Sequence, residues 1–164
     1  MRYYAAIDVG KEGAIVIFCN DKVLLKTVIP KIGNQIDLSA IRDIFIPYAN
    51  KQVHVVIEDV HALYGASAKS TFNFGWSLGI LEGMLSGLRI PYTKVAPKLW
   101  QKGMWQGIKP IYKSNRAIDT KATSLLAAKR LFPNEDFRKS ERATKPHDGI
   151  VDALLMAEYC RRKF

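Results

Sequence analysis

Residues 53–60, VHVVIEDV, form a nearly continuous apolar run interrupted late by an acidic residue, Glu58. Apolar side chains at successive rather than alternate positions mark a strand covered on both faces. The run therefore predicts a buried central strand, around which the rest of the chain has to build layers. Upstream, RYYAAIDVG (2–10), AIVIFC (14–19) and KVLLKTVI (22–29) are rich in β-branched and aromatic residues. Their short, turn-like connections, GKEG and Asn20–Asp21, predict an antiparallel three-stranded meander.

Beyond these strands the pattern changes to alternation. DLSAIRDIFIPYA (37–49) and residues 70–88 have helical character, IPYTKV (90–95) is a short strand, and APKLWQKGM begins a helix. GIKPIYKSNRAID (107–119) reads as a basic, mobile loop with a proline. TKATSLLAAKRLF (120–132) is an amphipathic helix stopped by Pro133, residues 132–146 are polar and loop-like, and the segment from Lys145 onward forms a last helix. Strands first, then strand–helix alternation, give an α/β fold on a mixed sheet. With no repeat and no linker, residues 1–164 are expected to form one domain.

One predicted helix carries a liability. Gly75, Gly79, Gly83 and Gly87 recur every four positions, and each costs about 0.8–1 kcal/mol relative to alanine in a helix interior. A ridge of hydrogen atoms admits another backbone closely. That backbone is either this chain's own sheet or the same helix of a second copy.

The formal net charge is +10, and from Lys98 onward 15 Lys/Arg face 7 Asp/Glu, so +8 of it lies in the last two-fifths. An excess so placed calls for an anionic partner, nucleic acid before an acidic membrane. Phe72–Leu88 is the most apolar long stretch, yet it contains Glu82 and four glycines, so no bilayer span is expected. Asp8, Lys11 and Glu12 interrupt any apolar leader. Cys19 and Cys160 lack framework spacing and are expected to be reduced thiols in a cytosol-like compartment.

Four carboxylates stand out against this basic background. Asp148 and Asp152 are four positions apart, and on a helix that spacing puts them about 40° apart on one face. Asp148 as a helix N-cap with Asp152 simply solvated is the plain alternative. Asp8 sits in the first strand between Ile7 and Val9, and Glu58 closes the run VHVVI. A charge at such a position is paired, metal-bound or at the strand's wet end. If the first and fourth strands are neighbours, Asp8 and Glu58 emerge side by side, and a last helix crossing that edge adds the other two. Like charges ~4 Å apart repel by about 4 kcal/mol at an effective dielectric near 20. Divalent cations relieve this, and all-oxygen ligation suits Mg²⁺ or Mn²⁺ rather than zinc. Two such ions activate water and stabilise the leaving oxygen of a phosphodiester. Acid cluster and basic surface together predict a metal-dependent nuclease.

In this order and spacing, AIDVGKEGAIVIF resembles the first hairpin of RuvC-type Holliday junction resolvases, VVIEDV the strand carrying that family's catalytic Glu, and KPHDGIVDALLMAEYCRR its closing helix. IPYTKVAPKLWQKGM and AAKRLFP look most like short RuvC-like proteins encoded by bacteriophages. The resemblance spans nearly the whole chain. It implies an RNase H-like fold, with a five-stranded mixed sheet and helices on both faces. It also implies a homodimer that nicks symmetric strands of a four-way DNA junction with Mg²⁺, or Mn²⁺ in its place, at two ions per site. No membrane or nucleotide cofactor is involved, and a phage-encoded chain would work in the bacterial cytoplasm.

Carried over by position, Asp8, Glu58, Asp148 and Asp152 are the catalytic metal ligands. Cellular RuvC commonly spaces the last two ligands three apart, a position held here by Gly149, and some members use a histidine nearby, which makes His147 a substitute for Asp148. Just past the catalytic Glu the family has a junction-probing aromatic, where EDVHALYG offers His61 and Tyr64 for stacking on a base. Lys98, Lys102, Lys113, Arg116 and Lys121 fall where the family's phosphate-contacting bases lie, and Lys69 joins them as a DNA-binding candidate. Neutralising six phosphates would give a log–log salt slope near −5, at roughly −0.9 per contact.

Other readings share these features. A nuclease of the same fold could cut forks, flaps or RNA–DNA hybrids, and a catalytically inactive relative could bind junctions. IDVG with nearby glycines also resembles the phosphate loop of sugar kinases and actin-like ATPases, which need two such domains.

Overall fold

The computed structural model describes residues 1–10, 12–59 and 67–164. The predicted meander is present as β1 (Arg2–Asp8), β2 (Ala14–Cys19) and β3 (Lys22–Val28), each antiparallel to the next. β1 stops at Asp8, before the expected end at residue 10. The chain turns there, with Gly13 N–H donating to Gly10 C=O at 2.8 Å. A Cβ on Gly13 would stand 2.1 Å from the Asp8 carbonyl oxygen, so this turn closes only around a glycine. A small hairpin not anticipated from sequence follows, β4 (Lys31–Ile32) and β5 (Gln35–Ile36) around Gly33 at φ 60°.

The helix expected over 37–49 is divided. Asp37 caps α1 (Leu38–Phe45) by accepting from Ala40 N–H at 3.0 Å, and a 3₁₀ turn, Ile46–Tyr48, takes over at Pro47. Proline supplies no N–H for an interior helical bond. Then come β6 (Gln52–Glu58), α2 (Ala68–Gly87), β7 (Tyr92–Val95), α3 (Pro97–Met104), α4 (Thr120–Leu131) and α5 (Asp148–Lys163).

The sheet order is β3-β2-β1-β6-β7, with β6 parallel to both β1 and β7. The apolar run 53–57 is therefore interior, as its composition requires. Side-chain alternation sorts the strands into two cores. Ala5, Ile7, Ile17, Val55 and Ile57 pack with Ile41 and Phe45 of α1 and Leu81 and Leu85 of α2. Ala6, Val16, Phe18 and Val56 face the opposite way, against Trp100 of α3, Ala127 of α4 and Leu154 and Ala157 of α5. Helices thus cover both faces, and each large side chain so buried contributes roughly 1.5–3 kcal/mol.

Among the described residues, the glycine ridge of α2 does not pack on this chain. Cβ atoms placed on Gly75, Gly79, Gly83 and Gly87 would meet nothing within 4 Å. The sequence-level alternative of self-packing is thereby excluded for those residues. The segment 107–119, expected to be a mobile loop, is instead tied into a short hairpin with Tyr112 bridged to Ile118. Among the described residues, no helix is long and apolar enough to cross a membrane.

Candidate active site

Strand periodicity and register build the centre. Tyr4, Ala6 and Asp8 share one face of β1, while Val56 and Glu58 share the same face of β6. Ile7 pairs with Ile57 in parallel register, so Asp8 and Glu58 follow together at adjacent strand ends. α5 packs across that face, and its one-turn spacing brings Asp152 over the pair. Glycine makes the approach possible, because a Cβ on Gly149 would lie 1.9 Å from the Glu12 carbonyl oxygen. Backbone therefore meets backbone where α5 enters.

Asp8 is 8% exposed and accepts from Gly10 N–H at 2.9 Å. Burial pushes its carboxyl up to about 6, against the Gly10 hydrogen bond and the nearby His147, which favour ionisation. Glu58 rises to about 7, first through burial and then through Asp8, although Trp100 Nε1 donates to its Oε1 at 3.0 Å. Asp152 also rises to about 7, through burial, then Asp8, with Glu58 and Asp148 adding to it, while a hydrogen bond from Ser124 opposes the rise. Asp8, Glu58 and Asp152 thus form a desolvated, mutually repelling trio. Among the described residues no Lys or Arg is ion-paired with any of them.

Asp148 stands at the rim. Its side chain is half exposed and pairs with Lys121 Nζ, whose ammonium is held protonated by that hydrogen bond. It is not the N-cap. His147 caps α5, with Nδ1 accepting from Ile150 N–H at 3.4 Å and Nε2 lying 3.3 Å from Glu12 Oε2. Both imidazole nitrogens are thus engaged within the protein.

Each carboxylate is satisfied by its own protein donor. In keeping with this, among the described residues no three His, Cys, Asp or Glu side chains converge as they stand to hold a metal ion. The donor set nevertheless fits a divalent ion chemically. It offers oxygen only, largely desolvated, and those features favour a hard cation such as Mg²⁺ or Mn²⁺.

Of the remaining candidates, only Lys121 touches one of these carboxylates among the described residues. Lys98 and Lys102 are exposed on α3, whose buried face supplies Trp100. Lys113 and Arg116 are exposed in the 107–119 hairpin, Lys121 lies in the first turn of α4, and Lys69 in the first turn of α2. His61 and Tyr64 lie outside the described residues. Trp100 and Ser124 are hydrogen-bonded to the acidic trio; sequence reads Trp100 as a core or interface residue, which its burial bears out, but gives neither hydrogen bond.

Sequence comparison finds no matching family model and no matching curated protein. Structure comparison is informative. Thermus thermophilus RuvC in complex with a Holliday junction substrate superimposes with a TM-score of 0.62 at 12% identity, covering 94% of this chain and 90% of that one. The Thermus thermophilus RuvC structure gives 0.61 at 15% identity, covering 98% and 96%. The fold is RNase H-like, of the RuvC type. At such identity the likeness is one of architecture. The likeness spans nearly the whole of both chains.

Proposed function

We propose that this chain is a metal-dependent endonuclease that resolves four-way DNA junctions. The observation that carries the reading is the trio Asp8, Glu58 and Asp152. Burial raises all three carboxyls, Asp8 raises Glu58 and Asp152 further, and among the described residues no Lys or Arg is ion-paired with them. A fold gains no stability from such a cluster, so it is retained for what it holds. Asp8, Glu58, Asp152 and the rim residue Asp148 would hold two Mg²⁺ or Mn²⁺ ions. When bound, such ions supply an activated water and charge stabilisation at a phosphodiester. The protein's part is to keep the carboxylates ionised and oriented, through Gly10 N–H, the Trp100 indole and the Ser124 hydroxyl.

Lys69, Lys98, Lys102, Lys113, Arg116 and Lys121 would neutralise backbone phosphates around this centre, and His61 and Tyr64 remain candidates for contact at the branch point. Symmetric nicking needs two centres, and a second copy docked on α2 would provide them. The exposed glycine ridge supports this, as do Phe72 at 70% and Trp76 at 41% exposure. An open groove of about 500 Å³ also runs along this helix, lined by Ile80, Met84, Leu88 and Leu38 among others.

A single assay tests the reading. Synthetic four-way junctions, forks, flaps, RNA–DNA hybrids and plain duplex are incubated with Mg²⁺, Mn²⁺ or chelator, using wild type, Asp8→Asn and Asp152→Asn. Paired nicks in the junction with either metal, lost in chelator and in both variants, are expected. Cleavage at the wild-type rate by either variant refutes the assignment. Cleavage confined to forks, flaps or hybrids moves the substrate, and binding without cleavage makes the chain a junction-binding relative.

A further inference from the structure

The hairpin between α3 and α4 is more rigid and less polar than a surface loop needs to be. Asp119 N–H donates to Ile111 C=O at 2.7 Å, Lys113 N–H to Ala117 C=O at 2.8 Å, and Arg116 N–H to Lys113 C=O at 3.0 Å. Asn115 Oδ1 accepts from Ala117 N–H at 3.1 Å. The turn is held tightly enough to keep Arg116 at φ 64°, a left-handed conformation that costs a non-glycine residue energy.

Its base is fixed to α4. The buried Thr123 hydroxyl accepts from Ile111 N–H at 3.0 Å and donates to Asp119 C=O at 2.7 Å, while Asp119 caps the helix through Ala122 N–H. Two residues beyond that cap, Lys121 pairs with Asp148. The hairpin is thus anchored within one helical turn of the acidic centre.

What it displays is an aromatic ring among cations. Tyr112 is 59% exposed, flanked by Ile111 at 39% and Ile118 at 41%. Lys109, Lys113 and Arg116 are exposed on the same segment, whose one carboxylate, Asp119, is occupied as the helix cap. An ordinary solvated loop has no use for an uncovered phenol and two isoleucines. Flat apolar surface interleaved with positive charge matches base planes strung between phosphates.

We propose that this hairpin is a base-stacking finger. The ring of Tyr112 takes an unpaired or splayed base of the nucleic acid bound at the acidic centre, and Lys113 and Arg116 hold the flanking phosphates. The inference rests on the nuclease reading for its ligand, and it assigns the recognition of unstacked bases to a residue distant in sequence from His61 and Tyr64.

The test is binding in chelator, where no strand is cut. A four-way junction carrying 2-aminopurine at the branch is compared with an intact duplex carrying it centrally. Wild type is expected to alter the probe's fluorescence in the junction alone. Tyr112→Ala should abolish that signal and weaken junction binding roughly tenfold, the loss of one base–aromatic stack, with duplex binding unchanged. Tyr112→Phe should behave as wild type. Wild-type junction affinity in Tyr112→Ala, or an equal loss on both DNAs, overturns the finger. So does loss of self-association in sedimentation with DNA binding intact, which would make the patch a protein interface. Should the fluorescence signal be present while no substrate is cut with metal, the nuclease reading fails and the finger stands.

Discussion

Trp100, a side chain with no exposed surface, donates its indole N–H to Glu58 Oε1 at 3.0 Å. The bond runs from the helical layer to the end of a central strand, and it favours the ionised form of a carboxylate that burial and Asp8 push toward protonation. Trp100→Phe keeps most of the packing but deletes that donor. The expected cost is about 1–3 kcal/mol, read as a lower denaturant midpoint. Glu58 should then titrate above its present value of about 7, followed by carboxylate NMR. An unchanged Glu58 titration would mean the indole does not govern it.

The pH dependence of stability has a definite sign. Folding raises Asp8 from 3.8 to about 6, Glu58 from 4.5 to about 7 and Asp152 from 3.8 to about 7. The folded state therefore binds these protons more tightly than the unfolded chain does. Their contribution to stability is greatest below about pH 4 and is lost as pH rises through 6 to 7. In chelator at pH 8, Asp8→Asn should melt higher than wild type by roughly 2–6 °C. The gap should close near pH 4, and saturating Mg²⁺ should reverse the order. A variant that melts lower throughout would show that the carboxylates do not strain one another.

Gly149 sets how closely α5 can approach the turn after β1. A Cβ there would collide with Glu12 backbone at 1.9 Å, and backbone cannot swing aside as a side chain can. Gly149→Ala is expected to cost about 3 kcal/mol, the upper end of overpacking penalties. Because the displaced helix carries Asp152, the Mg²⁺ requirement should also rise about tenfold or more. Calorimetry and a metal titration check the two effects, and wild-type behaviour in both would show the contact to be compliant.

The α2 ridge offers a clean probe of assembly. Among the described residues nothing lies within 4 Å of a Cβ at Gly79, so Gly79→Leu fits the isolated chain and should leave circular dichroism and melting near wild type. If two copies meet along this ridge, the leucine separates them, and sedimentation should shift from dimer toward monomer. A variant that remains fully dimeric places the contact elsewhere.

How much of this was legible in the sequence depended on whether the signal was local. Glu58 was visible because a charge ending an apolar strand needs an explanation, and Asp152 because four residues on a helix return to the same face. Asp8 joined them only on the condition that β1 and β6 are neighbours, which the parallel Ile7–Ile57 pairing satisfies. The Trp100 and Ser124 hydrogen bonds are tertiary, so no spacing within α3 or α4 announces them. Gly149 stands in sequence only as a departure from the family's ligand spacing, whereas its role lies in how near a helix comes to a turn. The 107–119 segment reads as loose because it has a proline, a glycine and three cations and no helical or strand periodicity. Its order comes from bonds across the hairpin and from Thr123, beyond its own end.

The placement of α5 has a consequence for biosynthesis. Asp8 is translated well before Asp152, 144 residues further on, and the centre exists only once the helix bearing the latter lies on the sheet. A nascent chain still threaded through the ribosome below residue 148 therefore lacks the assembled carboxylates. Non-local contacts of this kind form late and slowly. Whatever chemistry the centre performs is withheld until synthesis has passed that helix.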